Sequence, residues 1–221
     1  MFILVKCGKI TVSTAFALRK WFVQYLYFAY LRLRNHLKES FAMDVKEIID
    51  RYYPVDNELK EIYMIHARAV SDLALELARR HPELQLDEEF IHEAAMLHDI
   101  GIFLTDAPRI HCHGTEQYLC HGYLGGQLLR SMGHERHARV CERHTGTGLT
   151  KEVILQNGWN LPAMDFMPET MEEQLICFAD KFFSKTKFLD HPRTLEQVVE
   201  SMRKISKESA AKVQEWARLF M

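Results

Sequence analysis

Five ionisable side chains stand where the sequence pattern would place apolar ones. Each lies on the apolar side of a predicted helix or at its end: His66, His98, His121, His144 and Asp180. Burying an isolated polar or charged group costs several kcal/mol, and a single histidine in such a place is usually a hydrogen-bonded core residue. Five on five helices favour one shared explanation, a metal centre in which imidazole and carboxylate ligands are paired with a cation.

The adjacent pair His98-Asp99 sharpens this interpretation. Neighbouring residues of a helix point about 100° apart, so they share a partner only where the backbone leaves helical geometry. Gly101 is expected to end this helix, because glycine tolerates a positive φ. His98 and Asp99 can then converge on one ion, and the two oxygens of Asp99 can also bridge two ions.

The elements that would position these residues are helical almost throughout from Met43 onward. Apolar residues recur at helical spacing, and we see no period-two strands and no internal repeats. The sequence therefore predicts an all-α fold, with a single helical bundle at 43–221 and an N-terminal extension at 1–42. The predicted helices cover about 44–52, 62–80, 87–98, 122–132, 134–144 and 169–187, with one last long helix from Thr194 to the C-terminus.

This ordered series of residues resembles the HD superfamily of metal-dependent phosphohydrolases. The residues that carry the resemblance are His66, His98, Asp99 and Asp180. Residues 98–101 read His-Asp-Ile-Gly, which is similar to the motif of the HDIG subgroup, and 168–181 resembles the closing aspartate segment of the family. The resemblance covers roughly residues 57–190 and implies an HD-type helical bundle.

The resemblance also implies an activity: cleavage of a phosphate ester of a nucleotide or similar small phosphorylated substrate. Residues 121–129 and 142–146 are similar to the histidine segments of members that bind two metals. Two divalent ions are thus implied, with iron or manganese favoured over Mg, Co, Ni and Zn. The implied ligands are His66, His98, Asp99, His121, His144 and Asp180. Asp99 would bridge the ions and serve catalysis, in which a metal-activated hydroxide attacks phosphorus.

Positive and titratable residues near the ligands are candidates for contact with the substrate phosphate. Lys181 follows Asp180 and Arg143 precedes His144. The alternative for each, which we favour slightly, is a solvated surface charge, because neighbours on a helix point in different directions. Two more candidates, His111 and His113, stand in the loop after residue 101, where they could line the substrate entrance or act as a general acid. The alternative there is a polar loop that happens to be rich in histidine.

Three other functions stay open at this stage. Some proteins with the HD fold use a di-iron centre as an oxygenase, and one member type with the same six ligands is a dinucleoside tetraphosphate hydrolase. The third is a nucleotide sensor without turnover. The intact ligand series argues against the sensor, because degenerate members usually lose ligands.

Composition and the N-terminal segment indicate which partners and which location to expect. The chain has 221 residues and a formal net charge of −2, so a surface for DNA is not expected. Five cysteines without a CxxC pair predict free thiols and a cytoplasmic protein. The aromatic run at 21–31 is too closely flanked by basic residues for an integral membrane span. We interpret 1–42 as a start assigned too far upstream, with an interfacial helix as the alternative, and the apolar C-terminal stripe leaves a homodimer open.

Overall fold

The computed structural model describes residues 43–221, and this part is mostly helical, which confirms the predicted all-α class. A two-stranded antiparallel sheet and short 3-10 turns lie between the third and fourth helices. The helices of the described part are α1 Val45–Tyr52, α2 Glu58–Arg80, α3 Glu88–Leu97, α4 His121–Ser131, α5 Glu135–Arg143, α6 Lys151–Asn157, α7 Met171–Asp180, α8 Leu195–Arg203 and α9 Lys207–Phe220.

Helix α2 carries His66 on its buried side. Asn57 caps the helix, because its side-chain oxygen accepts a hydrogen bond from the backbone N–H of Lys60 at 3.0 Å. The helix ends at Arg80, and Pro82 prevents its continuation. The buried positions recur at helical spacing: Tyr63, Ala67, Val70, Ala74 and Leu77. Since His66 lies within this apolar stripe, the packing of α2 places its imidazole in the interior.

Helix α3 brings the His-Asp pair to the end of a buried segment. Two tyrosine hydroxyls satisfy backbone carbonyls that the end of the helix leaves free. Tyr63 donates to the carbonyl oxygen of Met96 at 2.6 Å, and Tyr53 donates to that of Ile100 at 3.1 Å. The two tyrosine rings stack on each other at 4.6 Å between centroids. The turn after α3 is therefore held by Tyr63 of α2 and by Tyr53, the residue that follows α1.

The reason predicted for Gly101 was wrong. This glycine has φ −87° and ψ 0°, a backbone conformation that other residues adopt without strain. A Cβ at this position would lie 2.4 Å from the carbonyl oxygen of His121 and 2.5 Å from the backbone nitrogen of Gly125. Glycine is required because the backbone of α4 packs directly against the turn. This close approach sets the position of His121.

The segment between α3 and α4 contains strands that the sequence did not predict. β1 (Asp106–Ala107) pairs antiparallel with β2 (Cys112–His113). Two-residue strands are too short to produce an alternating pattern, so periodicity could not reveal them. The short helix α6 was also not predicted; Thr150 caps it, and Gly158 ends it in the left-handed conformation at φ 62°.

Helix α7 ends at Asp180, earlier than the predicted boundary near 187. It begins with a capping box in which Thr170 and Glu173 satisfy each other's backbone N–H groups. Beyond its end, the Arg193 guanidinium donates to the carbonyl oxygens of Lys181 and Phe183. These bonds stabilise a turn in place of further helix.

The predicted long C-terminal helix was also wrong, since the structure has two helices, α8 and α9. Ser206 starts α9 by accepting a hydrogen bond from the N–H of Ser209 at 2.9 Å. The break lets α9 pack against α7. There Phe178 lies 6.4 Å from Trp216 and 6.0 Å from Phe220 between ring centroids. The amphipathic pattern runs through both helices, so it does not reveal the break, which is formed by the Ser206 cap and by backbone hydrogen bonds to the carbonyl oxygen of Met202.

The N-terminal extension at 1–42 lies outside the described residues, so the boundary at Met43 stays a prediction. Residues 45–221 form one compact unit of the chain. Within the described residues, no helix combines the length and apolar character needed to cross a membrane.

Candidate metal centre

The structure brings the six predicted ligands together at the centre of the bundle. His66 projects from the middle of α2. The other five stand at helix ends, where the backbone lets neighbouring side chains converge: His98 and Asp99 after α3, His121 at the start of α4, His144 directly after α5 and Asp180 at the end of α7. Six side chains that are far apart in the sequence thus share one site.

Asp99 lies between two pairs of histidines. Its Oδ2 is 3.2 Å from Nε2 of His66 and 3.1 Å from Nε2 of His98. Its Oδ1 is 3.2 Å from Nε2 of His121 and 3.5 Å from Nε2 of His144. The two oxygens of one carboxylate therefore face separate groups of nitrogen atoms, as in a carboxylate that bridges two ions.

Asp180 completes the group on the Oδ2 side. Its Oδ1 lies 3.1 Å from Nε2 of His66 and 3.6 Å from Nε2 of His98. Its Oδ2 accepts a hydrogen bond from the ammonium of Lys181 at 2.7 Å. Lys181 is itself buried and also donates to the carbonyl oxygen of His144 at 2.8 Å. This lysine thereby connects residues of both histidine groups.

Three of the imidazole rings are held in the same way. In each ring Nδ1 lies within hydrogen-bond distance of the carbonyl oxygen three residues earlier: His98 to Ala95 at 2.6 Å, His121 to Tyr118 at 2.6 Å and His144 to Cys141 at 2.7 Å. A carbonyl oxygen can only accept, so Nδ1 carries the proton and donates. When the ring is neutral, as a metal ligand must be, its Nε2 lone pair is directed at the cluster.

Several buried polar atoms of the cluster have no hydrogen-bond partner among the described residues. They are Nδ1 and Nε2 of His66, Nε2 of His98 and both carboxylate oxygens of Asp99, although Oδ2 of Asp99 forms an ion pair with the ammonium of Lys185. Such groups are costly to bury unless a cation satisfies them. Two triplets, His66-His98-Asp180 and His98-Asp99-His144, offer ligand atoms within 4.8 Å of one another. The donor atoms present thus fit divalent metal ions.

Burial and charge move the pKa values of the cluster in opposite directions. Burial disfavours the charged form of His98, but the carboxylates of Asp99 and Asp180 outweigh it and raise its pKa to about 9. Burial lowers the pKa of His144 to about 4, which keeps that ring neutral. For both aspartates, positive neighbours overcome burial and hold the pKa well below its usual value. Both carboxylates of the site are therefore ionised, which is the form in which a carboxylate binds a metal ion.

The candidate substrate contacts lie in different surroundings. Arg143 donates to the carbonyl oxygen of Met167 at 2.8 Å and pairs with Glu169 at 2.7 Å. His111 and His113 have exposed side chains on either side of buried Cys112. The structure places Arg143 in a protein ion pair, whereas the two histidines are open to solvent.

Sequence reasoning missed Lys185 and Tyr118. The ammonium of Lys185 lies 2.5 Å from Oδ2 of Asp99, and the Tyr118 ring stacks on the imidazole of His121 at 4.7 Å. Had α7 continued to 187, Lys185 would point about 140° away from Asp180. Only the end of the helix at Asp180 turns this lysine toward the site, so the sequence carried no usable signal.

Comparison with known proteins relates the chain mainly to archaeal sequences. An uncharacterised protein of Methanocaldococcus jannaschii is 37% identical over 134 residues, which cover 59% of this chain and 72% of that protein. Two proteins named tRNA (cytidine(56)-2'-O)-methyltransferase are also similar. The one from Thermoplasma volcanium is 32% identical over 67% of this chain, and the one from Picrophilus torridus is 28% identical over 62%. The chain spans only 39% and 36% of their lengths. No solved structure is significantly similar to it.

The family model described as HD domain matches residues 63–184. That match covers more than half of the chain and contains all six residues of the cluster. A family of all-α, metal-binding domains agrees with the helical fold and with the histidines and aspartates that converge around Asp99. The chain therefore belongs to the HD domain family.

Proposed function

We propose that the protein is a metal-dependent phosphohydrolase of the HDIG type that cleaves a phosphate ester of a nucleotide or similar small substrate. The observation that carries the proposal is the placement of Asp99, whose two oxygens face separate histidine pairs. This geometry supports two divalent ions joined by one carboxylate. Such pairs of ions are common in enzymes that act on phosphate esters.

Each ligand has a distinct task in this proposal. His66, His98 and Asp180 would hold one ion, His121 and His144 would hold the other, and Asp99 would contribute one oxygen to each. When bound there, two divalent ions would lower the pKa of a water and offer positive charge to the phosphate oxygens. Lys181 keeps Asp180 and the carbonyl of His144 in place through its two hydrogen bonds, a positioning role that differs from the predicted contact with substrate.

The ligand atoms narrow the choice of metal without fixing it. Four imidazoles and two carboxylates suit Mn, Fe, Co, Ni or Zn better than Mg, which prefers oxygen ligands and water. Iron and manganese remain our first choices. The four cysteines of the described residues are free and buried, which supports the cytoplasmic location proposed from the sequence.

The test is a metal analysis followed by a phosphate-release screen. The full chain is purified anaerobically, its metal content is measured, and nucleotides including dinucleoside tetraphosphates are offered with Mn²⁺. We expect release by the wild type and its loss in Asp99→Ala, since that variant lacks the bridging carboxylate. Equal release by both proteins would show that the reaction does not occur at this cluster.

The di-iron oxygenase is the second enzymatic reading, and the same preparation separates the two. Hydrolysis should persist with manganese and without oxygen, whereas oxygenation requires iron and oxygen. Activity that appears only with iron in air would replace our proposal with the oxygenase. The methyl transfer named for the two archaeal tRNA relatives belongs to proteins of which this chain spans 39% and 36%, and we do not propose it here.

A further inference from the structure

Lys185 forms an ion pair with the buried carboxylate of Asp99 at the centre of the cluster. The ammonium of Lys185 lies 2.5 Å from Oδ2 of Asp99, the same oxygen that faces His66 and His98. The side chain of Lys185 is 11% exposed and that of Asp99 is fully buried. Lys185 therefore reaches into the site from its solvent side.

The backbone that carries Lys185 is held firmly. The Ser184 hydroxyl accepts hydrogen bonds from the backbone N–H groups of Lys187 and Phe188, both at 3.2 Å, and the N–H of Ser184 donates to the carbonyl oxygen of Phe188 at 2.8 Å. On the other side, Arg193 binds the carbonyl oxygen of Phe183 at 3.4 Å. Any movement of the ammonium thus requires rotation of the flexible side chain and leaves the turn in place.

A divalent ion bound to Oδ2 of Asp99 would displace this ammonium, because like charges at contact distance repel strongly in a buried site. Tyr118 bounds the space available to it. The Tyr118 ring centroid lies 5.9 Å from Nζ of Lys185, the side chain is 37% exposed, and the ring stacks on His121. The displaced ammonium would lie between this ring and the cluster, on the side open to solvent.

We propose that Lys185 binds the phosphoryl oxygens of the substrate and that Tyr118 forms one wall of the same anion site. The proposal rests on the phosphohydrolase function proposed above. Metal ions and a buried lysine together leave the site with excess positive charge, which a phosphate group neutralises. A lysine ammonium suits this task because it is a compact charge on a flexible chain.

The test compares Lys185→Met with Lys187→Met in the full chain loaded with Mn²⁺. Lys187 has an exposed side chain two positions away, so its variant controls for loss of a positive charge nearby. The affinity for inorganic phosphate is measured by titration calorimetry, together with metal content, KM and kcat. For Lys185→Met we expect phosphate binding weaker by about tenfold or more, a raised KM and undiminished metal content. Lys187→Met should match the wild type, and Lys185→Arg should recover part of the affinity.

Two results would overturn the proposal while leaving the phosphohydrolase function intact. One is a Lys185→Met protein that binds phosphate as tightly as an active wild type. The other is loss of bound metal in that variant, which would make Lys185 a structural partner of Asp99. If Lys185→Met does not fold, Lys185→Gln is measured in its place. A manganese-loaded wild type that neither binds phosphate nor releases it from nucleotides would refute the proposed function itself, and this inference with it.

Discussion

At the scale of the residue, Asp99 joins the two halves of the site. Its carboxylate is fully buried and contacts four imidazoles and one ammonium. The four histidines differ in whether they face a second carboxylate besides Asp99. His66 and His98 also face Asp180, whereas Nε2 of His121 and Nε2 of His144 face Asp99 and lie 3.0 Å from each other. A substitution at His121 or His144 should therefore affect one proposed ion site and leave the His66, His98 and Asp180 site intact.

His121→Ala should remove the second ion and keep the first. We expect bound manganese to fall from about two ions per chain to about one, because a site left with one histidine and a shared carboxylate has too few ligands. Elemental analysis after gel filtration gives the count. His92→Ala is the control, since His92 is exposed and is not one of the six ligands. Its Nδ1 lies 2.9 Å from the hydroxyl oxygen of Ser71. A His121→Ala protein that keeps the wild-type metal content would contradict the two-group assignment.

At the scale of the element, helix ends and close backbone contacts position the ligands. Five of the six ligands stand at or beside a helix end, where the chain changes direction and side chains from different helices can meet. Two contacts then fix how the helices approach one another. One is the close approach of Gly101 to α4, and the other is the ion pair between Arg130 of α4 and Glu142 of α5.

Gly101→Ala should separate α4 from the turn that carries Asp99. The added Cβ would lie 2.4 Å from the carbonyl oxygen of His121, so the backbone must shift, at a cost of about 1–3 kcal/mol in the free energy of unfolding. We expect urea denaturation at lower concentrations and weaker binding of the second ion. Ser131→Ala, at the exposed end of α4, should change neither. A Gly101→Ala protein with unchanged stability would show that the contact relaxes freely.

The ion pair between Arg130 and Glu142 should stabilise the α4–α5 hairpin. The two terminal nitrogens of Arg130, Nη1 and Nη2, donate to the Glu142 carboxylate at 2.5 and 3.0 Å. The Glu142 side chain is only 7% exposed. Glu142→Gln should lower the free energy of unfolding by about 1–2 kcal/mol, because a charge-assisted pair with a buried carboxylate is lost. The same arginine also pairs with Glu135, which is 62% exposed. Glu135→Gln should therefore cost less than about 0.5 kcal/mol, and equal effects in urea melts would argue against burial as the cause.

At the scale of the whole molecule, the metal cluster and the apolar core hold the same helices together. The core is continuous through α2, α3, α5, α7, α8 and α9, while the ligands come from α2, α4, α7 and the turns after α3 and α5. Helix α7 takes part in both, since its middle is buried in the core and its last residue is Asp180. Binding of metal should therefore add to the stability of the entire fold.

Removal of metal should lower the melting temperature of the full chain. Ions present at about 1,000 times their Kd add about 4 kcal/mol, which corresponds to about 8–16 °C for a domain of this size. Calorimetry before and after chelation, and again after Mn²⁺ is returned, measures the shift. Asp99→Ala should show almost no response to Mn²⁺. A wild type whose melting temperature is the same with and without metal would mean that the cluster binds no ion tightly.

The sequence by itself determined the helical class and the identity of the clustered residues. Helical periodicity is a local property, so it could place His66 and Asp180 on apolar stripes and the His98-Asp99 pair at a helix end. A buried ionisable residue is unusual enough to be recognised without knowing what surrounds it. The HD family was visible for the same reason, because its pattern consists of such residues in a fixed order.

The tertiary structure alone decided which atoms meet. The pairing of each Asp99 oxygen with its own two histidines depends on how four helices pack, and periodicity does not encode packing angles. Lys185 enters the site only because the chain turns at Asp180, where Arg193 binds the carbonyls beyond the helix. Likewise, Gly101 is needed for the approach of α4 and has an ordinary φ. Contacts between distant segments are set by the balance of the whole fold, which no local pattern contains.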